Sequence, residues 1–368
     1  MALKILNVVG ARPNFMKIAP IMREMKKRPS EFSPVLVHTG QHYDFELNKV
    51  FFDQLEIPEP QYFLDVGSGS HAMQTASIMT RFETVLLKEK PDLVLVVGDV
   101  NSTIACALVA AKEHYPVAHV EAGLRSGDWS MPEEINRVLT DRISRLLLTS
   151  SKEAEENLRK EGITKGIHFV GNTMIDSLKI FEKQAEKTAS EKKLSLKGGY
   201  ALATMHRPEN VDDEKNLRKV VEMILTAAEF AKTVFPVHPR TKTKLEKTGL
   251  GKKLSQKGVL LTEPLGYLEF LNLEAKAKFV LTDSGGVQEE TTVLGVPCFT
   301  ARRSTERPVT ATEGTNTIVG LDAELLKKEL EKVYAGKGKK GRIPEKWDGS
   351  AAKRICDIIL KDFAAQKS

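Results

Sequence analysis

The sequence has few cysteines. Only Cys106, Cys298 and Cys356 occur in 368 residues, and they are far apart, without the spacing of metal ligands. A sparse, odd cysteine count argues against a disulfide scaffold and against a thiolate zinc site, and it favours a reducing compartment. We therefore expect a soluble, cytoplasmic protein.

Long hydrophobic runs are also absent. No apolar stretch approaches the length of about 18 residues that a membrane span requires. The N-terminal segment MALKILNVVG lacks the apolar core and cleavage site of a signal peptide and is typical of a first strand. The net charge of +6 comes mostly from scattered lysines, which suits a phosphorylated ligand but is too diffuse to favour nucleic acid. We expect neither membrane insertion nor a nucleic-acid partner.

Short apolar segments alternate with longer amphipathic ones, which predicts an α/β fold with parallel sheets. The strand-like segments of the first half are KILNVVG, PVLVHTG, PDLVLVVGD, YPVAHVE and SRLLLTS. Residues 101–115 have a helical pattern with Asn101 or Ser102 as the expected N-cap. A second helix, at residues 132–143, carries an apolar stripe formed by Ile135, Val138, Leu139 and Ile143.

A polar, lysine-rich segment at residues 182–199 marks a change of domain, after which the alternation begins again. The strand-like segments of the second half are YALATMH, KTVFPVHP, GVLLTE, KFVLTDS and VPCFT. The sequence therefore predicts two Rossmann-like domains with a ligand cleft between them.

The loop after the first strand, GARPNFMK, does not have the G-x-G-x-x-G pattern, and no such fingerprint or Walker motif follows any other predicted strand. A nicotinamide cofactor therefore has no recognisable binding motif. Arg12 and Lys17 could bind an anion at the start of the helix. Alternatively, they are surface residues that flank a turn.

Three carboxylates of the first half follow predicted strands. Glu121 ends an apolar strand, where a buried carboxylate needs a partner and can acquire the raised pKa of a proton-transfer group. Asp99 could act in the same site or cap the next helix. Glu133 could form a capping box with Ser130 or pair with Arg137 one turn later.

In the second half, Ser284, Gly285 and Gly286 open a helix whose backbone amides can bind phosphate. Glu289 and Glu290 follow, where a carboxylate can accept two ribose hydroxyls. The alternative is a glycine-rich helix start with glutamates that complement the helix dipole.

Other polar residues of the second half also follow predicted strands. His206 and Arg207 lie in the segment TMHRPEN, and His238 follows in FPVHPR. Arg307 belongs to the cationic segment RRSTERP. Each could have a structural role or lie in a solvated loop. Taken together, the positions predict a nucleotide diphosphate held mainly by the second domain, with its attached group presented to the carboxylates of the first.

The sequence resembles the non-hydrolysing UDP-N-acetylglucosamine 2-epimerases from about residue 4 to the C-terminal helix. The motifs that carry the resemblance are GARPNFMKIAP, GQH, GDVNST, HVEAGLRSGD, PEEINR, GNTMID, HRPEN, TDSGGVQEE and TERP. The resemblance implies a GT-B-like pair of domains: residues 1–170, joined by the C-terminal helix 351–368, and residues 171–350. It also implies a homodimer that interconverts UDP-GlcNAc and UDP-ManNAc with no cofactor and no essential metal.

The same resemblance implies roles for individual residues. Residues tied to catalysis or to the reacting sugar and diphosphate are Arg12, Lys17, Asp99, Glu121, Glu133 and His206. The UDP-binding set is Ser284, Gly285, Gly286, Glu289 and Arg307, to which we add Arg207 and His238 as substrate-binding candidates. The implied reaction eliminates UDP to give 2-acetamidoglucal and re-adds it with protonation from the opposite face.

Departures from the family pattern keep alternatives open. Pro208 and Asp44 replace residues common in the family, and they bear on the pocket, near Gln41 and His42, in which many bacterial members bind a second UDP-GlcNAc. The alternatives are an epimerase of another UDP-2-acetamido sugar, such as a diacetamido uronic acid, a hydrolysing 2-epimerase that releases ManNAc, a GT-B glycosyltransferase and a non-catalytic nucleotide-sugar sensor.

Overall fold

The computed structural model describes residues 2–40, 56–196 and 198–365, except for the side chain of Arg12. The chain forms two compact units. The first comprises Met1–Lys179 and Glu345–Ser368, and the second comprises Ile180–Pro344. None of the helices in the described ranges has the length and apolar character needed to cross a membrane.

The first unit is built on a parallel sheet in the order β3-β2-β1-β4-β5-β6-β7. Its central strands are almost continuously buried and apolar, as expected of a sheet with helices on both faces. The strands are β1 Leu3–Val9, β2 Phe32–His38, β3 Tyr62–Phe63, β4 Leu93–Val97, β5 Val117–Ala122, β6 Leu146–Thr149 and β7 Ile167–Phe169.

The helices of the first unit follow the strands in the alternating order of a doubly wound fold. They are α1 Arg12–Lys26, α2 His71–Glu89, α3 Asn101–Lys112, α4 Pro132–Ile143, α5 Lys152–Lys160 and α6 Thr173–Thr188, together with the C-terminal α16 Ala351–Ala365. The α6 helix contains the division between the units. Asp176 on α6 accepts hydrogen bonds from the backbone N–H groups of Ala351 (3.0 Å) and Ala352 (2.7 Å), which caps α16.

The second unit is built on a parallel sheet in the order β10-β9-β8-β11-β12-β13. Its strands are β8 Tyr200–Thr204, β9 Lys232–Pro236, β10 Leu260–Thr262, β11 Phe279–Thr282, β12 Cys298–Thr300 and β13 Asn316–Ile318. Its helices are α7 Ser190–Lys193, α8 Pro208–Val211, α9 Glu214–Phe230, α10 Pro239–Thr248, α11 Leu250–Gln256, α12 Tyr267–Lys276, α13 Gly285–Leu294, α14 Pro308–Thr312 and α15 Ala323–Tyr334. The predicted fold class, with two Rossmann-like α/β domains, is confirmed.

Each sheet has a point at which the strand order reverses direction. In the first unit it lies between β1 and β4, and in the second between β8 and β11. Ligands of open parallel sheets bind outside the carboxyl ends of the strands at such points. The loops after these strands, together with the helices that follow them, carry most of the site residues predicted from the sequence.

Two local predictions were wrong. The N-cap of α3 is Val100, and no side chain caps this helix, so neither Asn101 nor Ser102 has the expected role. On α4, Ile135 and Leu139 are 41% and 50% exposed. The buried residues of this helix are instead polar: Glu134, Arg137, Thr140 and Asp141. The face that packs on the first unit is therefore held by hydrogen bonds and ion pairs.

Candidate active site

Glu121 lies at an irregularity in the sheet of the first unit. The register of β5 against β6 shifts between Val120 and Ala122, so Glu121 is the extra residue of a β-bulge. Its φ is +73°, a left-handed conformation that costs a non-glycine residue on the order of 1–3 kcal/mol. Bulges re-aim side chains and are common next to active sites. The sequence gives no sign of this backbone geometry.

Glu121 and Lys17 form a buried ion pair. The two residues are 8% and 5% exposed, so their pairing offsets part of the cost of burying both charges. Lys17 lies one turn after Asn14, which ties α1 to β4 by donating a hydrogen bond to the carbonyl of Val97 (3.1 Å). A Cβ on Gly98 would lie 3.0 Å from Nζ of Lys17 and 3.4 Å from Oε2 of Glu121. The ion pair therefore lies directly against the backbone at the end of β4.

A fully buried histidine–aspartate pair organises the loop after β5. One oxygen of Asp141 is 2.7 Å from Nδ1 of His119, and the other accepts hydrogen bonds from the backbone N–H of Gly123 (3.0 Å) and from Arg125 (2.8 Å). Nε2 of His119 lies 2.8 Å from the carbonyl oxygen of Gly98. The pair thus joins the two strand ends that carry Gly98 and the bulge.

Asp99 is held by α4. Arg137 donates hydrogen bonds to the carboxylates of Asp99 and Glu134, and Asn136 donates to the backbone carbonyl of Asp99 (2.9 Å). Arg137 is 3% exposed, whereas the Asp99 side chain is 25% exposed. Asp99 is therefore oriented by a buried cation and remains accessible.

Glu134 closes the loop between β5 and α4. It accepts hydrogen bonds from the backbone N–H groups of Ser126 (3.0 Å) and Gly127 (2.9 Å). Burial opposes ionisation of this carboxyl, but these hydrogen bonds and the charge of Arg137 outweigh it, so the pKa of Glu134 lies below its usual value. Glu134 is thus a structural anion, and the sequence analysis assigned it no role.

Glu133 is half-buried in the first turn of α4. The N-cap of α4 is Met131, so the alternative capping box of Ser130 and Glu133 does not form. The hydroxyl of Ser130 instead donates a hydrogen bond to Asp128 (2.6 Å). Through Arg137, the helix that carries Glu133 is fixed to Asp99.

In the second unit, Ser284 is the N-cap of α13, and Gly285 and Gly286 form its first turn. A Cβ on Gly285 would lie 2.7 Å from Nη1 of Arg307 and 3.0 Å from Oε1 of Glu306. Only glycine therefore lets the guanidinium lie against the start of the helix. Unshielded backbone amides beside a guanidinium form an anion-binding arrangement.

A buried charge network surrounds Arg307. Its Nη1 donates a hydrogen bond to Glu306 (2.7 Å), and its Nε lies 2.7 Å from Oε1 of Glu289 in an ion pair. Arg302 donates to the other oxygen of Glu306 (2.7 Å). Arg303, in contrast, is exposed. Most of the segment RRSTERP is thus built into the unit, contrary to the alternative of a solvated loop.

His206 follows β8 and is organised by Asp283. The backbone N–H groups of His206 (3.0 Å) and Arg207 (2.9 Å) and the amide of Asn210 (3.0 Å) donate to Asp283. Nδ1 of His206 lies 3.1 Å from Oδ1 of Asp283. Burial raises the pKa of Asp283, but the bonds to His206, Arg207 and Asn210 outweigh it and leave the pKa lowered. The His206 side chain is 35% exposed, so the ring is positioned and accessible.

His238 lies near His206, with ring centroids 5.7 Å apart. It is exposed and is the N-cap of α10, where Nδ1 accepts a hydrogen bond from the backbone of Arg240 (3.2 Å). Arg207 lies 3.6 Å from Glu306 in an ion pair. The structure therefore brings His206, His238 and Arg207 to the carboxyl ends of β8 and β9, in the unit that contains the α13 anion-binding arrangement.

Two of the sequence predictions concern side chains or residues that the structure does not describe. The side chain of Arg12 is not described, and Gln41, His42 and Asp44 lie outside the described residues. Within the described ranges, no cluster of three or more His, Cys, Asp or Glu side chains could hold a metal ion.

The two units have different chemical capacities. The first combines the buried Lys17–Glu121 pair with Asp99 and Glu133, which are groups for proton transfer and charge stabilisation. The second combines a phosphate-type helix start with Arg307 and an oriented histidine. The second unit thus offers groups that can bind a phosphorylated ligand, and the first offers groups that can transfer protons.

Comparison with known proteins gives consistent results along the chain. A family model described as UDP-N-acetylglucosamine 2-epimerase matches residues 23–360. A UDP-N-acetylglucosamine 2-epimerase from Methanocaldococcus jannaschii is 45% identical over 365 residues, which cover 97% of this chain and 99% of that protein. A UDP-2,3-diacetamido-2,3-dideoxy-D-glucuronate 2-epimerase from Pseudomonas aeruginosa is 41% identical over 363 residues, which cover 98% of this chain and 100% of that protein. The crystal structure of the M. jannaschii UDP-GlcNAc 2-epimerase in complex with UDP-GlcNAc and UDP matches with a TM-score of 0.89 and 44% identity, covering 98% of this chain and 100% of that chain.

Proposed function

The chain belongs to the UDP-N-acetylglucosamine 2-epimerase family, and we propose that it interconverts UDP-GlcNAc and UDP-ManNAc by the non-hydrolysing route. The observation that carries this proposal is the buried Lys17–Glu121 pair on a strained bulge. Strained backbone conformations cluster at functional sites, and a buried ion pair is rarely more stabilising than a well-packed apolar pair, so this pair favours a functional role.

The chemistry explains why such groups are needed. The hydrogen on C2 of a 2-acetamido sugar has no adjacent carbonyl group to stabilise a carbanion, so direct deprotonation has a very high barrier. Loss of the C2 proton together with expulsion of UDP from C1 gives 2-acetamidoglucal. Re-addition of UDP, with protonation of C2 from the opposite face, inverts that carbon. This reaction requires a base, an acid and cations at the departing diphosphate.

We assign proton transfer to Asp99, Glu121 and Glu133. Asp99 is supported by its orientation on Arg137 and its accessibility, and Glu121 by its contact with Lys17. We also assign Arg12 and Lys17 to the reacting sugar and diphosphate, and His206 to catalysis at the leaving group.

We assign UDP binding to the second unit. Ser284, Gly285, Gly286 and Arg307 would hold the diphosphate, and Glu289 the ribose hydroxyls. The position of Arg307 against Gly285 supports the first assignment. Arg207 and His238 would contact the substrate from the loops after β8 and β9.

Proton NMR of the purified protein with UDP-GlcNAc in deuterated water, without added cofactor, tests the reaction. We expect UDP-ManNAc with deuterium at C2, since the C2 proton exchanges with solvent. Release of UDP with free ManNAc would instead assign the chain to the hydrolysing type. The proposed substrate is wrong if no reaction occurs in either of two incubations, one with UDP-GlcNAc alone and one with UDP-GlcNAc and UDP-ManNAc together.

A second candidate substrate follows from the Pseudomonas relative, which is a 2-epimerase of UDP-2,3-diacetamido-2,3-dideoxy-D-glucuronate. The same elimination would apply, because only the substituents at C3 and C5 differ. The specificity constants for this sugar nucleotide and for UDP-GlcNAc, measured on one preparation, would distinguish the two.

We further propose a cytoplasmic homodimer. Ile135 and Leu139 lie one turn apart on α4 and are 41% and 50% exposed, and Trp129 in the preceding loop is 64% exposed. Exposed apolar side chains of this size, two of them adjacent on one helix face, suit a protein interface. Cys106, Cys298 and Cys356 are buried free thiols, which is compatible with a reducing compartment.

A further inference from the structure

Two helices of the second unit place against each other two carboxyl groups to which no role has been assigned, one of them next to Glu289. Tyr267 on α12 donates a hydrogen bond to Oε1 of Glu290 on α13 (2.9 Å). Glu274 lies two helical turns after Tyr267, on the same face of α12. Glu274 and Glu290 are within hydrogen-bonding reach of each other. The contact face between α12 and α13 therefore contains two facing carboxyls and one phenol.

Glu274 is 0% exposed, and neither of its carboxyl oxygens accepts a hydrogen bond from any donor in the described part of the chain. An ionised carboxylate in such a place would carry a large desolvation penalty. Two carboxyls can hydrogen bond to each other only if one of them carries a proton, because an ionised carboxylate is only an acceptor. A proton on Glu274 would remove the buried charge and would let Glu274 donate to Glu290.

The surrounding groups do not supply a compensating charge. Within the described ranges, neither carboxyl has an ion pair with lysine or arginine. Glu289 adds negative charge beside Glu290, although Arg307 pairs with it. The buried thiol of Cys298 is a further neutral neighbour, since burial raises its pKa to about 12.

The electrostatics agree with this geometry. Burial raises the pKa of Glu274, and the charge of Glu290 raises it further. Burial also raises the pKa of Glu290, to about 7, while the hydrogen bond from Tyr267 opposes this shift and the charge of Glu289 adds to it. The burial of Tyr267 and its contact with Glu290 raise the pKa of the phenol, so Tyr267 remains a donor.

We propose that Glu274 and Glu290 share one proton, and that Glu274 acts as a positioning residue by donating this proton to Glu290 across α12 and α13. The shared proton fixes the inner face of α13, the helix whose first turn and Glu289 we assigned to UDP. The effect on UDP binding rests on that assignment, whereas the shared proton does not. Loss of the proton leaves two uncompensated charges between the helices and loosens the UDP-binding end of α13.

Infrared spectroscopy tests the shared proton without any ligand. In the difference spectrum between the wild type and Glu274→Gln at pH 6, we expect a carbonyl stretch of a protonated, buried carboxylic acid that shifts in deuterated water. Glu269→Gln, on the same helix but half-buried, should leave this band in place. A difference spectrum for Glu274→Gln without the band would overturn the proposal.

The pH dependence of UDP affinity tests the positioning role. Glutamine keeps a donor to Glu290 and is neutral at every pH, so at pH 6 the dissociation constants of Glu274→Gln and the wild type should agree within about twofold. As the pH rises above 7 and Glu274 loses the shared proton, the wild type should weaken relative to the variant by about threefold or more, whereas ionisation of Glu290 at about 7 leaves that proton in place. The ratio of the two dissociation constants, wild type to variant, is taken at each pH, because the titration of UDP itself then cancels. Glu274→Leu, which removes the donor, should weaken binding at both pH values.

Two outcomes separate the proposals. A ratio that does not change with pH, with the infrared band present, would overturn the positioning role of Glu274. Absence of UDP binding in the wild type, also with the band present, would contradict the proposed function and the positioning role but leave the shared proton established.

Discussion

The guanidinium of Arg307 occupies the space where Gly285 would carry a Cβ, with Nη1 only 2.7 Å from that position. Substitution of Gly285 by alanine would therefore push Arg307 and Glu306 away from the start of α13. Gly285 has no left-handed backbone angle, and alanine favours helices, so the fold should tolerate the change. We expect Gly285→Ala to weaken UDP binding by about tenfold or more, measured by calorimetry.

Gly251→Ala is a matched control for this prediction. Gly251 lies inside α11 of the same unit, and a Cβ there would make only ordinary contact with Leu245, at 3.6 Å. This variant should bind UDP as the wild type does and should be slightly more stable because of helix propensity. Equal UDP affinities of the two alanine variants would exclude the Arg307 arrangement as the diphosphate site.

Glu121→Gln should separate binding from turnover. The amide keeps the size of the side chain but cannot transfer a proton, so we expect turnover to fall about a hundredfold or more. UDP affinity should change little, because most of the groups assigned to UDP lie in the second unit. Steady-state kinetics together with UDP calorimetry measures both. Unchanged turnover would refute the acid–base role of Glu121.

The same variant leaves the buried Lys17 without its counter-ion, which destabilises the fold. The double variant Lys17→Met with Glu121→Gln removes both charges and should recover thermal stability while remaining inactive. If the double variant were stable and active, the ion pair would be structural only.

The sequence predicted where the candidate residues lie in the fold better than it predicted their contacts. Short apolar runs correctly predicted ten of the strands, because buried parallel strands have a strong compositional pattern. The polar residues that follow these runs therefore lie at the carboxyl ends of the strands. The strands β3, β7 and β13 have only two or three residues and were not predicted. All three lie at a sheet edge, and their sequences (YF, IHF and NTI) lack the longer apolar run that identifies the other strands.

The supporting groups could not be predicted for a different reason. The supporting residues are His119, Glu134, Arg137 and Asp141. Some of their contacts join residues that are far apart along the chain. Others lie on the face of α4 that the apolar pattern wrongly predicted to be exposed. On α4, the apolar stripe suggested that Ile135 and Leu139 point inward, but the polar face is buried because Arg137 bridges two carboxylates. The bulge at Glu121 depends on register, which one strand alone does not encode.

The exposure of Ile135 and Leu139 predicts an effect on assembly. Ile135→Asp combined with Leu139→Asp places two charges on this apolar surface, where an interface would have to desolvate them. We expect the variant to be monomeric by light scattering where the wild type is dimeric. Leu325→Asp, at another exposed leucine of 37% exposure in the second unit, should remain dimeric. A dimeric double variant would exclude this surface.

The cap of the C-terminal helix predicts how stability depends on pH. Burial raises the pKa of Asp176 from 3.8 to about 6, although the backbone N–H groups of Ala352 and Ala351 partly oppose the shift. The folded state thus binds the proton more tightly than the unfolded state. This contribution is fully present below about pH 4 and is lost as the pH rises through 6. A shift of about two pKa units corresponds to roughly 3 kcal/mol at most.

Asp176→Asn removes this titration but keeps one acceptor for the helix cap. The free energy of unfolding of the variant, relative to the wild type, should therefore increase between pH 4 and pH 7, as measured by urea denaturation. Glu89→Gln is the control, because the hydrogen bond from Tyr62 and the contact with Lys4 outweigh burial and lower the pKa of Glu89, which lies away from Asp176 along the chain and does not act on its titration. Its difference from the wild type should therefore stay constant above pH 5. A constant difference for Asp176→Asn as well would mean that this carboxylate is ionised throughout the range, with the two backbone N–H groups outweighing the burial.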